Sequence, residues 1–108
     1  MPKIIVMYPY PSDAEKFDRD YTEDHAPMVT GDTFPKITKF VANKIVGTPD
    51  GSQPKYRLIA ELHFASMEDL QAAAASDSAQ KAVAHAFEIS SGGPPVVIIA
   101  EEEEVKNF

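Results

Sequence analysis

The amino-acid sequence predicts an α+β domain of element order βαββαβ, with helices packed on one face of an antiparallel sheet. Three observations lead there. Two short β-branched runs, "KIIVMY" at Lys3 to Tyr8 and "VVIIA" at Val96 to Ala100, are apolar on both faces and stand near the two ends of the chain. Between them, two stretches of looser alternation flank the turn-rich "GTPDGSQP", as a hairpin would. A capped segment of helical periodicity follows the first strand, and another follows the hairpin.

Each element has its own signal. "KIIVMY" is bounded by prolines and fits a strand buried on both faces. In "SDAE", Ser12 is the expected N-cap and Glu15, three positions on, completes a capping box. The apolar stripe of this first helix runs through Ala14, Phe17 and Tyr21. The same stripe continues through Asp18 to His25, and Pro27 is expected to stop it. Ile37 to Val46 and Lys55 to Phe64 form the hairpin. In its second strand Tyr56, Leu58, Ala60, Leu62 and Phe64 belong against a helix layer. The opposite face, Lys55, Arg57, Ile59, Glu61 and His63, mixes polar with apolar groups, as the wall of a wet cavity or a partner surface does. Ser66 caps the second helix with Asp69 at the third position, and Met67, Leu70 and Ala74 form its expected inner stripe. After a break near Ser76, "SDSAQKAVAHAF" continues the same crossover until "SSGGPP" ends it. "EEEE", after the last strand, reads as a solvated strand end or tail.

This order is the split βαβ pattern of a ferredoxin-like domain. The 108 residues fit a single domain spanning 1–108. With 44% hydrophobic and 25% charged residues the composition is that of an ordinary globular chain. Seventeen acidic against ten basic residues give a net charge of -7, which repels phosphate backbones and anionic headgroups and argues against nucleic-acid and membrane partners. There is no cysteine, so disulfides, thiolate nucleophiles and cysteine-ligated metal are excluded. The N-terminal apolar run is too short for a signal peptide, so mature sequence from Met1 and a cytoplasmic location are expected. Helices on one face leave the other bare. With both outer runs apolar on both sides, an isolated monomer would present a large hydrophobic patch, which a homodimer pairing the two sheets would bury.

Chemistry centres on His25. A histidine in the last turn of a helix faces the negative end of the macrodipole, which favours the protonated ring and places its titration near physiological pH. Such a group serves as acid or base, with Tyr21, one turn earlier, bonding the ring or a substrate oxygen. The same spacing also fits a plain helix cap, with the imidazole bonded to the last carbonyls beside a core tyrosine. Glu61 and His63 project from one strand to the same side, so the carboxylate can orient the imidazole; an ordinary sheet-face or dimer contact is the alternative. His85, among alanines, reads as structural. No H-x-x-x-H pair, phosphate-binding glycine pattern or serine elbow is present, so no metal and no nucleotide cofactor is expected.

"EKFDRDYTEDHAPM" resembles the F-x-x-x-Y-x-x-x-H-x-P-[LM] signature of EthD-like proteins in the dimeric α/β-barrel superfamily, with Phe17, Tyr21, His25, Pro27 and Met28 in the matching positions. "YRLIAELHFASMEDLQAA" and "SGGPPVVIIAEEE" are similar to the family's third strand with its following helix and to its last strand. The chain departs from the pattern with alanines and His85 where many relatives carry an aspartate. The resemblance implies a ferredoxin-like protomer, a homodimer whose sheets close into a barrel, and a pocket between sheet and helices. The family is named for an association with ethyl tert-butyl ether degradation. Elsewhere the superfamily includes cofactor-free monooxygenases, polyketide cyclases, muconolactone isomerases and decarboxylases. The expectation is therefore a small cofactor-independent enzyme, of oxidoreductase, isomerase/cyclase or decarboxylase chemistry, acting on an apolar or aromatic metabolite. Its candidate catalytic residues are His25 and Tyr21, and its candidate substrate contacts are Glu61, His63 and Phe17. The rival expectations are a non-catalytic module for a hydrophobic ligand or for dimerisation, and haem binding through an accessible histidine.

Overall fold

The computed structural model describes all 108 residues. Four antiparallel strands, β1 (Pro2–Pro9), β2 (Ile37–Lys44), β3 (Tyr56–Phe64) and β4 (Val96–Glu101), lie in the order β2-β3-β1-β4. Helices α1 (Ala14–Asp20), α2 (Met67–Ala74) and α3 (Asp77–Ile89) complete the expected α+β order, the second crossover breaking between Ala74 and Asp77. The strand registers place Ile4, Val6 and Tyr8 of β1 beside Leu62, Ala60 and Leu58 of β3. With Phe64 these β3 residues are buried, so the face assigned to the helix layer is the one that carries the core. Ile4, Leu62, Phe64 and Leu70 pack with Phe34 and three alanines of α2 and α3 in one cluster. Tyr8, Phe17, Tyr21, Leu58, Ala60 and Ala86 make a second.

Several boundaries differ from the sequence reading for identifiable reasons. The N-cap of α1 is Asp13 rather than Ser12: its Oδ1 accepts from the Lys16 N–H at 3.1 Å, and a charged acceptor suits the positive helix end. At α2 the expected cap holds, with Ser66 Oγ accepting from the Asp69 N–H at 3.1 Å. The inner stripe of α2 is Leu70 and Ala73, while Ala74 is exposed in relative terms. Pro27 does not stop the first helical segment at His25. After Asp20 the chain widens into a π-helical turn, Tyr21–His25, and then tightens into a 3-10 turn, Ala26–Met28, with proline near its start. The Ala26 N–H reaches back to the Tyr21 carbonyl, and the missing proline N–H sits where a first-turn donor would be unpaired in any case.

The first helix is tied to the sheet by charge. Arg57 grips Asp18 as a fork, Nη2 donating to Oδ2 at 2.6 Å and Nε to Oδ1 at 3.0 Å, with Lys44 at 3.6 Å. The hydrogen bond from Arg57 holds the Asp18 carboxyl below the usual carboxylate range. Behind β1 the chain passes very close: a β-carbon at Gly92 would collide with the backbone of Pro9 and Tyr10, which only glycine avoids.

The other sheet face has no helix. Ile5 and Met7 sit there beside Ile98, Val96 and Ile59. β4 is an edge strand, and its outer residues are bare on both faces, Val97 being 44% and Ile99 55% exposed.

Candidate functional site

Between the sheet and the helices lies a cavity of about 110 Å³. It exists because small residues meet there: Ala60 on β3, Ala74 on α2, and Ala79, Ala82 and Ala86 on α3 replace the larger side chains that would otherwise fill the layer. Val83 and Val97, both partly exposed, stand on its rim between α3 and the free edge of β4. The wall is apolar except where Tyr8, Tyr21 and His25 contribute.

His25 is only 6% exposed. The π-helical turn holds it beside Tyr21, ring centroids 5.3 Å apart, and points it at two partners outside its own helix. Its Nε2 lies 3.3 Å from the Tyr8 hydroxyl, and its Nδ1 lies 3.0 Å from Nδ1 of His85. The plain-cap reading therefore fails, because both ring nitrogens are directed away from the terminal carbonyls. The expected titration near physiological pH fails as well. Burial, reinforced by the neighbouring His85, pushes the His25 ring down to about 4, so desolvation outweighs the helix dipole. Burial also raises the Tyr8 and Tyr21 hydroxyls above their ordinary range, so both stay protonated.

This shift fixes the sign of a pH effect. The unfolded chain protonates His25 near pH 6.5, the folded chain only near pH 4, so between those values the unfolded state binds more protons. The contribution to stability is complete above about pH 6.5 and is lost as pH falls toward 4, up to about 3 kcal/mol. Urea midpoints of the parent and of His25→Gln, compared from pH 7 to pH 4, should converge as the pH falls. A constant gap would show that His25 takes up its proton equally in the folded and unfolded states.

The candidate residues do not all meet. His25 and Tyr21 line the cavity. The Tyr21 hydroxyl is not what meets the imidazole; that position belongs to Tyr8, and Tyr21 packs its ring against His25. Phe17 stacks behind Tyr8 and Tyr21, centroids 5.3 and 6.1 Å away, and is not part of the cavity wall. Glu61 and His63 do form a pair, Oε1 to Nε2 at 3.1 Å, with Lys3 donating to the same oxygen at 3.2 Å. They lie on the helix-free face, across the sheet from the cavity. Burial opposes it, but the hydrogen bonds from Asn43 and Lys3 keep the Glu61 carboxyl below its ordinary range. No three metal-ligating side chains converge anywhere in the chain.

Two members of the site escaped the sequence reading. Tyr8 looked like the end of a buried strand, yet it shares its face with Ile4 and Val6, and that alternation already aims it at the helix layer. His85 looked structural among alanines. It stands three residues after Ala82, on the edge of the small-residue stripe that faces the cavity.

Fold and cavity together define a ferredoxin-like domain with an apolar chamber and a buried histidine at its wall. Residues 10–86 match the EthD domain family, and the chain belongs to it. It is 32% identical over 93 residues, 86% of this chain and 87% of the other, to an uncharacterised 11.0 kDa protein of Rhodococcus erythropolis from the thcB-thcC intergenic region. Its structure is similar to that of an EthD family protein from Bacillus halodurans, with a TM-score of 0.83 and 30% identity, covering 94% of this chain and 98% of that one. A dimeric ferredoxin-like protein from Jannaschia shares the fold at 17% identity and a TM-score of 0.65, covering 94% of this chain and 98% of the other.

Proposed function

We propose that this EthD protein is a cofactor-independent enzyme that moves a proton on a small apolar or aromatic molecule held in the cavity. The observation that carries this reading is His25 itself, a neutral imidazole set into an otherwise apolar wall and bonded to Tyr8 and His85 rather than to its own helix. A neutral ring accepts a proton at one nitrogen while releasing one from the other, the requirement of isomerisation, cyclisation and related chemistry. The Tyr21 hydroxyl makes no hydrogen bond within the protein, which leaves it for a polar atom of the ligand. At about 110 Å³ the chamber is of the order of the ~150 Å³ apolar cavity that accepts benzene, so the ligand is compact.

The test is an NMR titration of the histidine ring protons with a panel of small aromatic and lactone compounds, run on the parent and on Val83→Trp, which plugs the rim. One compound should shift His25 in the parent and not in the plugged variant. Shifts without turnover would favour a ligand-binding module, and no shift at all would overturn the chamber as a site.

The active species is proposed to be a cytoplasmic homodimer. The helix-free face and the bare β4 support it, as does the dimeric description of the Jannaschia relative. Sedimentation should give twice the 11.8 kDa chain mass at micromolar concentration, and Ile98→Glu, which places charge on that face, should return the monomer. A monomeric parent would overturn the dimer.

A further inference from the structure

The His25–His85 contact joins two different compartments. His25 faces the apolar chamber, while His85, half-buried, lines a separate polar cleft on the outside of α1 and α3. That cleft is acidic, walled by Asp13, Asp20, Asp24 and Glu88, with Lys16 drawn to Asp20 at 2.7 Å. The two imidazoles are within 12° of coplanar with centroids 5.2 Å apart. With the nitrogens at 3.0 Å, that separation sets the rings edge to edge, nitrogen facing nitrogen, rather than face to face.

We infer that His85 is the outer member of a two-histidine relay that carries protons between the chamber and the acidic cleft. The inference rests on reading His25 as the proton-handling group. An Nδ1 to Nδ1 contact at this distance holds one proton, so one ring donates and the other accepts. In one state Tyr8 donates to His25 Nε2, His25 Nδ1–H donates to His85 Nδ1, and His85 carries its single ring proton on Nε2. A proton arriving from the ligand at the Tyr8 oxygen displaces the tyrosine's own proton onto His25 Nε2. The Nδ1 proton of His25 then passes to His85 Nδ1, and the Nε2 proton of His85 leaves to water in the cleft. The bonding pair released by that proton stays on the ligand. Tyr8, His25 and His85 all finish neutral, with both imidazoles in the opposite tautomer, and the reverse passage resets them. No imidazolium has to persist in the chamber, where burial disfavours it. The groups facing His25 are Tyr8, Tyr21 and His85; those facing the cleft are its carboxylates, which suit the outer end as proton acceptors, and Lys16, which is paired with Asp20.

The experiment follows the exchange of the His25 ring N–H with solvent, by water-saturation NMR on 15N-histidine-labelled full-length protein. His85→Gln keeps a hydrogen-bonding side chain but cannot take a proton on one side and release it on the other. His85→Ala opens the path, and free imidazole is the probe that replaces the missing ring. The relay requires exchange at least 10-fold slower in His85→Gln, and in His85→Ala a recovery of exchange on adding imidazole. Exchange as fast as the parent in His85→Gln would overturn it, as would fast exchange in His85→Ala without imidazole, because His85 would then be a mere cover. Backbone spectra of both variants report folding. Because exchange is read without substrate or turnover, a working relay in a protein that turns nothing over would refute the enzyme reading alone. A failed relay would leave that reading standing.

Discussion

Replacing His25 with alanine should lower turnover of the compound selected by the NMR panel by about 10²- to 10⁴-fold, the range a positioned acid or base contributes. The effect should fall on kcat more than on KM, because the ring is one polar point in a chamber whose walls do the binding. A cost in stability should accompany it. Tyr8 is 1% exposed and its hydroxyl loses its partner, a penalty of about 1–3 kcal/mol above the pH at which His25 would otherwise protonate. The double variant His25→Ala/Tyr8→Phe separates the two effects: it removes the orphaned hydroxyl as well, so part of the lost stability should return while turnover stays low. Turnover unchanged in His25→Ala would withdraw its role.

The largest effect on folding should come from Phe64→Ala. Phe64 is fully buried at the end of β3, in one cluster with Ile4, Leu62 and Leu70, where the sheet meets α2. Truncation removes the ring and leaves a void that the neighbouring strands cannot close, at about 3–5 kcal/mol. That is a large share of the total for a domain whose net stability is of the order of 5–15 kcal/mol. Urea unfolding should show a lower midpoint with an unchanged slope. A loss below about 1 kcal/mol would mean that the cluster repacks, which the chamber beside it would then have to supply.

Much of this architecture is visible in the sequence because strand faces follow a strict period of two. Tyr56 to Phe64 sorts itself into a core face and a mixed face without any knowledge of the partner strands, and Leu58, Ala60, Leu62 and Phe64 are buried as that sorting demands. The site is less visible because its contacts join elements far apart in the chain. Tyr8 and His25 are 17 residues apart, His25 and His85 60, and no local spacing encodes either. The pairing of Glu61 with His63 was legible for the opposite reason, since two residues on one strand point the same way. Their side of the sheet relative to the chamber depends on where the helices pack. The His25 titration was misjudged because the dipole is a local property of the helix whereas desolvation depends on the whole layer above it.

The bare β4 edge carries a hazard of its own. Val96 to Ala100 is an uncharged, β-branched run whose outer backbone groups face no neighbouring strand, the kind of segment that templates stacking of identical chains. Its flanks oppose this. Pro94 and Pro95 stand immediately before it and cannot donate to a ladder, and Glu101 to Glu104 stand immediately after it, so in-register copies would line up four carboxylates from every chain. That guard is electrostatic and stands in water, so added salt screens it. Salt therefore weakens the barrier to self-association at the segment most prone to it, while the core that holds the same strand in the sheet is untouched.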